Sequence, residues 1–159
     1  MSRIGITGHR DLDEPTRRMV RTALRTIVGA HRPAELTGVT CLADGADTLF
    51  AQAVTAHGGQ LEVIVPAVRY RECLSAAHRR VYDDLLSRAA TVHRLDYVES
   101  GPTAYAASGE RMLALVDRLV AVWDGLPAQG LGGTAEVVAV AWDRGLPVEV
   151  VWPSGARRT

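Results

Sequence analysis

Lysine is absent from this chain: all 18 of its basic residues are arginine. Schiff-base catalysis and the lysine-bearing phosphate loop of the Walker type are excluded with it. Cysteine is scarce. Neither Cys41 nor Cys73 sits in a Cys-x-x-Cys pair or near a spaced histidine, which argues against a disulfide framework or a zinc site. Both read as small core residues. Net charge is also lacking, 18 basic residues standing against 18 acidic ones. That balance, with few aromatics that look exposed, argues against nucleic acid as a partner. No apolar run approaches membrane-spanning length and the start MSRIGITGHR has no signal-peptide pattern, so no membrane is expected and the expected location is the cytoplasm.

What the chain does contain suits one globular domain: 159 residues, 47% hydrophobic and 23% charged. Strand and helix patterns alternate from end to end. Strands are expected at 3–7, 36–42, 61–65, 91–95, 119–123 and 148–152. Between them lie five helical segments. The first opens at Asp13-Glu14-Pro15, an acidic cap with proline in the first turn, and turns Met19, Val20, Ala23, Leu24, Ile27 and Val28 inward. The others are a helix after Asp44-Gly45 that stops at Gly58-Gly59, a long one over 70–89 packing Leu74, Ala77, Val81 and Leu85, one over 105–117, and one over 134–144. Such alternation implies right-handed crossovers. The run Leu119–Trp123, apolar at every position, reads as a strand buried on both faces. The expected fold is therefore α/β: a single three-layer, doubly wound Rossmann-like domain over 1–153 with a six-stranded, mainly parallel sheet. Residues 154–159 read as a flexible tail.

In such a sheet, ligands bind beyond the carboxyl ends of the strands. Four turns on that edge are candidates: Asp96–Thr103 with the helix behind it, and three whose residues can be read one by one; the third-strand exit, Pro66–Tyr70, is less distinctive. In the first, Gly5-Ile6-Thr7-Gly8-His9-Arg10, Gly8 would allow close backbone approach while His9 and Arg10 point into the crevice; a tight turn with a solvated His-Arg pair explains them equally. In the second, around Gly45, Asp44 and Asp47 are caps or acceptors for ribose hydroxyls, since carboxylates at a helix start repel phosphate. The third follows Trp123. Asp124-Gly125 ends the apolar run, and Gly130, Gly132 and Gly133 lead into Thr134 and Glu136 at a helix start. Capping accounts for Thr134 and Glu136, but three glycines in four positions cost entropy unless the backbone must be approached closely. Unpaired N–H groups at that start, with the positive end of the helix dipole, suit a phosphate.

At these residues the chain resembles the SLOG superfamily, a Rossmann-like group that includes the Lonely-guy phosphoribohydrolases, the "lysine decarboxylase-like" proteins and the DNA-processing protein DprA. Asp117 precedes the fifth strand as in the Lonely-guy pattern, and Gly133-Thr134-Ala135-Glu136 looks like its Gly-Thr and Glu. Gly45-Ala46-Asp47 with Ala51 is similar to the second-strand turn of DprA-like members, and Glu110-Arg111-Met112 resembles the Glu-Arg-Lys segment of the phosphoribohydrolases. The chain departs from the enzymes where the second Glu of their motif falls on Val137 and where a longer loop replaces Pro-Gly-Gly. Its nearest likeness is to an uncharacterised, nucleotide-binding branch marked by Val-Trp-Asp-Gly and Gly-Gly-Thr-Ala.

Two functions follow from the resemblance. In the first, the chain binds a nucleotide, or an ADP-ribose or ribose-5'-phosphate derivative, at the sheet edge, as a sensor. Phosphate would rest on Gly132, Gly133 and Thr134, Arg10 or Arg111 would neutralise it, and Asp124 and Glu136 would accept ribose hydroxyls. In the second, it hydrolyses the N-glycosidic bond of a nucleoside 5'-monophosphate, with Glu136 as the carboxylate at the anomeric carbon and Arg111 as the positioning cation. No metal and no cofactor is expected in either. The resemblance also implies a homodimer, with the third helix around Tyr82 and Leu86 as a contact.

Overall fold

Six strands, β1 (Ser2–Gly8), β2 (Leu36–Thr40), β3 (Gln60–Ala67), β4 (Thr91–Tyr97), β5 (Arg118–Val122) and β6 (Val148–Val151), form one sheet in the computed structural model, which describes residues 1–127 and 133–159. Their order is β4-β3-β2-β1-β5-β6, and every pairing is parallel. One face is covered by α1 (Glu14–Gly29), α2 (Ala46–His57) and α3 (Ala76–Ser87), the other by α4 (Pro102–Leu115) and α5 (Thr134–Asp143). The layered α/β architecture expected from the sequence is thus present, with a wholly parallel sheet.

Local chemistry accounts for the helix ends. Asp13 caps α1 by accepting the Thr16 N–H at 2.9 Å, and Thr16, Val20, Leu24 and Val28 form its fully buried stripe. The long third helix is divided. A 3-10 turn spans Arg71–Cys73, and the Ser75 hydroxyl then accepts the His78 N–H at 3.2 Å, so that α3 begins only at Ala76. His78, Tyr82 and Leu85 are its buried residues; of the inward set expected, Leu85 is buried, Leu74 and Val81 are partly buried against the core, and Ala77 is exposed. Tyr82 is buried with its ring 5.9 Å from that of Tyr70, so it is not on the surface as the expected dimer contact requires.

Residues 154–159 are fastened back onto the β1–α1 turn rather than loose. Leu12 and Arg158 form an antiparallel bridge. The Asp13 N–H donates to the Arg157 carbonyl at 3.3 Å, the Thr159 N–H to the Asp11 carbonyl at 3.1 Å, and the Arg157 N–H to the Thr16 hydroxyl at 2.7 Å. Among the described residues, no helix is long and apolar enough to cross a membrane.

Strand order reverses between β1 and β5, which pair directly with Gly8 opposite Val122. The connections leaving these two strands run to opposite faces of the sheet, and a crevice opens between them at the carboxyl edge.

Candidate functional site

A cavity of about 320 Å³ occupies that crevice. Its floor is the end of β1 with Cys41 and Asp47; Tyr70, Tyr105 and Ser108 form one wall, and Gly133, Thr134 and Val137 another. The volume lies at the small end of the range for ligand pockets.

The β1 turn is built by close packing. A Cβ on Gly8 would lie 2.4 Å from the Ala46 Cβ and 2.8 Å from the Val122 Cβ, so its lack of a side chain lets α2 and β5 close on β1. Gly45 is the partner device. Its φ is +81°, and a Cβ there would lie 2.5 Å from the carbonyl oxygens of His9 and Arg10. Gly45 itself lies outside the lining, and Ala46 N–H donates to the His9 carbonyl at 3.3 Å. Beyond these packed turns, His9 and Arg10 reach the cavity.

His9 faces two competing partners on Asp124. The Asp124 N–H donates to His9 Nε2 at 3.1 Å, which requires a neutral ring, and Asp124 Oδ1 lies 3.3 Å from the same nitrogen, which suits a charged one. Burial, and then the nearby Arg158, hold the His9 pKa below its ordinary value. The neutral ring therefore prevails near pH 7, tying the β1 turn to the end of β5. Asp124 is not in the cavity lining: its Oδ1 also accepts the Leu126 N–H at 3.0 Å, and its Oδ2 lies 3.7 Å from an Arg158 nitrogen. Gly125 is exposed at φ +82°, in the turn that follows.

Two guanidinium groups meet the cavity. Arg10 sits over the Tyr105 ring, 5.0 Å from its centroid, with Tyr105 held from behind by a 2.7 Å hydrogen bond between its hydroxyl and Ser100. Arg158 enters from the segment after β6. On the floor, Asp47 is 7% exposed and accepts the Ala43 N–H at 3.3 Å. Burial pushes its carboxyl up to about 6, against the opposing pull of that bond and of Arg10. Burial also pushes the Cys41 thiol well up, with Asp47 adding to the effect, so Cys41 is no thiolate nucleophile at neutral pH.

The start of α5 faces the same space. Gly133 is its N-cap, Thr134 its first residue, and among the described residues no side chain caps it. α2 and α4 likewise begin on glycines, Gly45 and Gly101, without side-chain caps, whereas α1 and α3 are capped by Asp13 and Ser75. Among the described residues, the three helices that contribute to the cavity lining are thus the three whose starts no side chain caps. Gly130 and Gly132 lie outside the described residues. Of the residues read as catalytic, Arg111 is exposed on α4 and does not line the cavity. Glu136 is outside that lining and borders an adjoining cleft of about 50 Å³ between α4 and α5, which shares Gly109 and Val137 with the cavity. Sequence reasoning passed over the strand exit that holds Tyr70 as less distinctive, left Arg158 out of the site altogether and weighed Asp47 chiefly as a cap. Asp47 carried one usable signal, a carboxylate just after a strand end.

In fold, the chain is similar to DNA processing protein A. The Helicobacter pylori protein, whose structure is described by its single-stranded DNA binding mode, superposes with a TM-score of 0.71 at 13% identity over 99% of this chain and 68% of its own. DprA from Streptococcus pneumoniae gives 0.70 at 17% identity over 98% of this chain, which spans about half, 52%, of that protein. TM1055, a structural-genomics target, gives 0.60 at 18% identity, covering 93% of this chain and 72% of that one. No family model and no curated protein matches the sequence.

These neighbours overturn the exclusion of nucleic acid. A fold shared with a protein described by its mode of binding single-stranded DNA cannot be set aside on net charge. A whole-chain sum of zero says little about local fields, and here Arg10 and Arg158 converge on one cavity.

Proposed function

We propose that the cavity at the β1/β5 edge binds a phosphate-bearing nucleotide, or a ribose-5'-phosphate derivative of one, as expected for the nucleotide-binding branch of the SLOG group. The observation that carries this reading is the convergence on one small cavity of Arg10, Arg158 and the start of α5, which no side chain among the described residues caps. Guanidinium groups and unpaired helix N–H groups both recognise phosphate oxygens. Tyr70 and Tyr105 supply an apolar wall beside them for a sugar or base. The volume suits a mononucleotide better than a dinucleotide.

Titration with AMP, GMP, CMP, UMP, ADP-ribose and a single-stranded dT oligonucleotide tests it, by calorimetry with base release followed in parallel. A mononucleotide is expected to bind without turnover, and Arg10→Gln to weaken it about tenfold or more. Binding that is insensitive to Arg10→Gln, or no binding by any phosphate ligand, would sink the reading.

One observation favours hydrolysis as a second reading. Asp47 is a buried cavity carboxyl with a pKa of about 6, in the range of a general acid. Base release that disappears in Asp47→Asn would establish it. Tighter binding of the oligonucleotide than of every mononucleotide would favour a nucleic-acid strand as the ligand.

A further inference from the structure

The segment after β6 is fixed by its backbone on both sides of residue 158. Arg157 engages Asp13 and Thr16 through its carbonyl and N–H, and Thr159 N–H engages the Asp11 carbonyl. Residue 158 bridges to Leu12 between them. With its main chain so held, the Arg158 side chain projects to the cavity, although it is separated from β1 by most of the sequence.

Its charge has only a loose partner. Asp124 Oδ2 stands 3.7 Å away, beyond hydrogen-bond distance, and among the described residues the guanidinium makes no hydrogen bond. An arginine carries five N–H donors. Here they face a cavity already bordered by Arg10 and by the start of α5. Asp124 is in turn fixed by His9 and by the Leu126 N–H, so its carboxylate keeps Arg158 at the mouth without engaging those donors.

We propose that Arg158 contacts the phosphate of the bound ligand, and that docking of residues 153–159 is therefore coupled to ligand binding. The inference rests on the nucleotide reading of the cavity. Coupling is reciprocal: if the docked segment strengthens phosphate binding by some factor, bound phosphate strengthens docking by the same factor.

Two measurements on the full chain test this, using whichever of AMP, GMP, CMP or UMP binds most tightly, with its uncharged nucleoside as the counterpart. Arg158→Gln is expected to weaken the monophosphate about 10- to 100-fold, the effect of losing a charge-assisted contact, and to change nucleoside binding less than twofold. Arg158→Lys is expected to recover part of the loss. Arg25→Gln, an exposed arginine on α1 outside both the cavity lining and the docked segment, is expected to leave both unchanged. In hydrogen exchange, the monophosphate is expected to slow the amides of Asp13, Arg157 and Thr159 in the wild-type chain but not in Arg158→Gln. Equal monophosphate affinity in wild type and Arg158→Gln overturns the proposal, as does a loss that is the same for nucleoside and monophosphate. If no phosphate-bearing probe binds the wild-type chain, the nucleotide reading itself falls, and this inference with it.

Discussion

Asp47 shows how one residue serves two demands. It holds the turn after β2 by accepting the Ala43 N–H, and it does so while lining the cavity as a nearly fully buried carboxyl. Burial raises its pKa from 3.8 to about 6, so the fold prefers the protonated form. Between about pH 4 and pH 6 the native state then holds a proton that the unfolded state has lost, and stability falls as pH rises through that window. Above it, ionised Asp47 costs the fold about 3 kcal/mol. Asparagine keeps the carbonyl acceptor without the charge. Asp47→Asn is accordingly expected to match the wild type below pH 4 and to exceed it by up to about 3 kcal/mol at pH 8. Urea unfolding of both proteins across pH checks this, and a constant difference between them would refute it. His9 behaves oppositely. Its depressed pKa supports the fold above pH 6.5 and that support is lost as pH falls, because protonation removes the acceptor for the Asp124 N–H.

Among the elements, the β1 turn and the start of α2 act as one packed unit held by glycines. Gly45→Ala would force a Cβ within 2.5 Å of two carbonyl oxygens at a φ of +81°, which costs about 1–2 kcal/mol for the backbone and more for the clash. Gly58 provides the comparison: it too has positive φ, +91°, but a Cβ there meets Pro33 only at 3.4 Å. In denaturant unfolding, Gly45→Ala is expected to lose at least about 2 kcal/mol more than Gly58→Ala, and equal losses would show that crowding at the turn is not the cause. The strand–helix order was legible in the sequence because a buried parallel strand such as β5 is apolar at consecutive positions and α1 announces itself with Asp13 and Pro15. The division of the third helix was hidden, since one serine hydroxyl decides it. The fastening of residues 154–159 was hidden for a different reason. Most of its ties are main-chain hydrogen bonds and a bridge, which leave no side-chain pattern to read, and so Arg158 escaped notice. Arg111 and Glu136 were chosen by likeness to a motif, which fixes neighbours along the chain but not which side of a helix meets the cavity.

For the molecule as a whole, the reversal of strand order matters more than the total charge. It opens the crevice between β1 and β5, and folding brings to it residues as far apart in sequence as Ile6 and Arg158. A ligand held there by Arg10, α5 and Arg158 binds only the folded state, because no unfolded chain keeps those groups together. Such a ligand stabilises the fold by RT ln(1 + [L]/Kd), about 2.7 kcal/mol at a hundredfold excess over Kd. For a domain of this length each kilocalorie raises Tm by about 2–4 °C, so saturating mononucleotide is expected to raise it by roughly 5–11 °C. Gly45→Ala should start from a lower Tm and show an increase of similar size when the nucleotide is kept at the same multiple of its Kd, since its defect is in packing. Arg10→Gln, held at the wild-type nucleotide concentration, should start near the wild-type Tm and lose at least about 1.4 kcal/mol of the increase, the equivalent of a tenfold weaker Kd. Differential scanning calorimetry of the three proteins with and without nucleotide separates the effects. A full increase in Arg10→Gln would mean that the nucleotide binds elsewhere on the molecule.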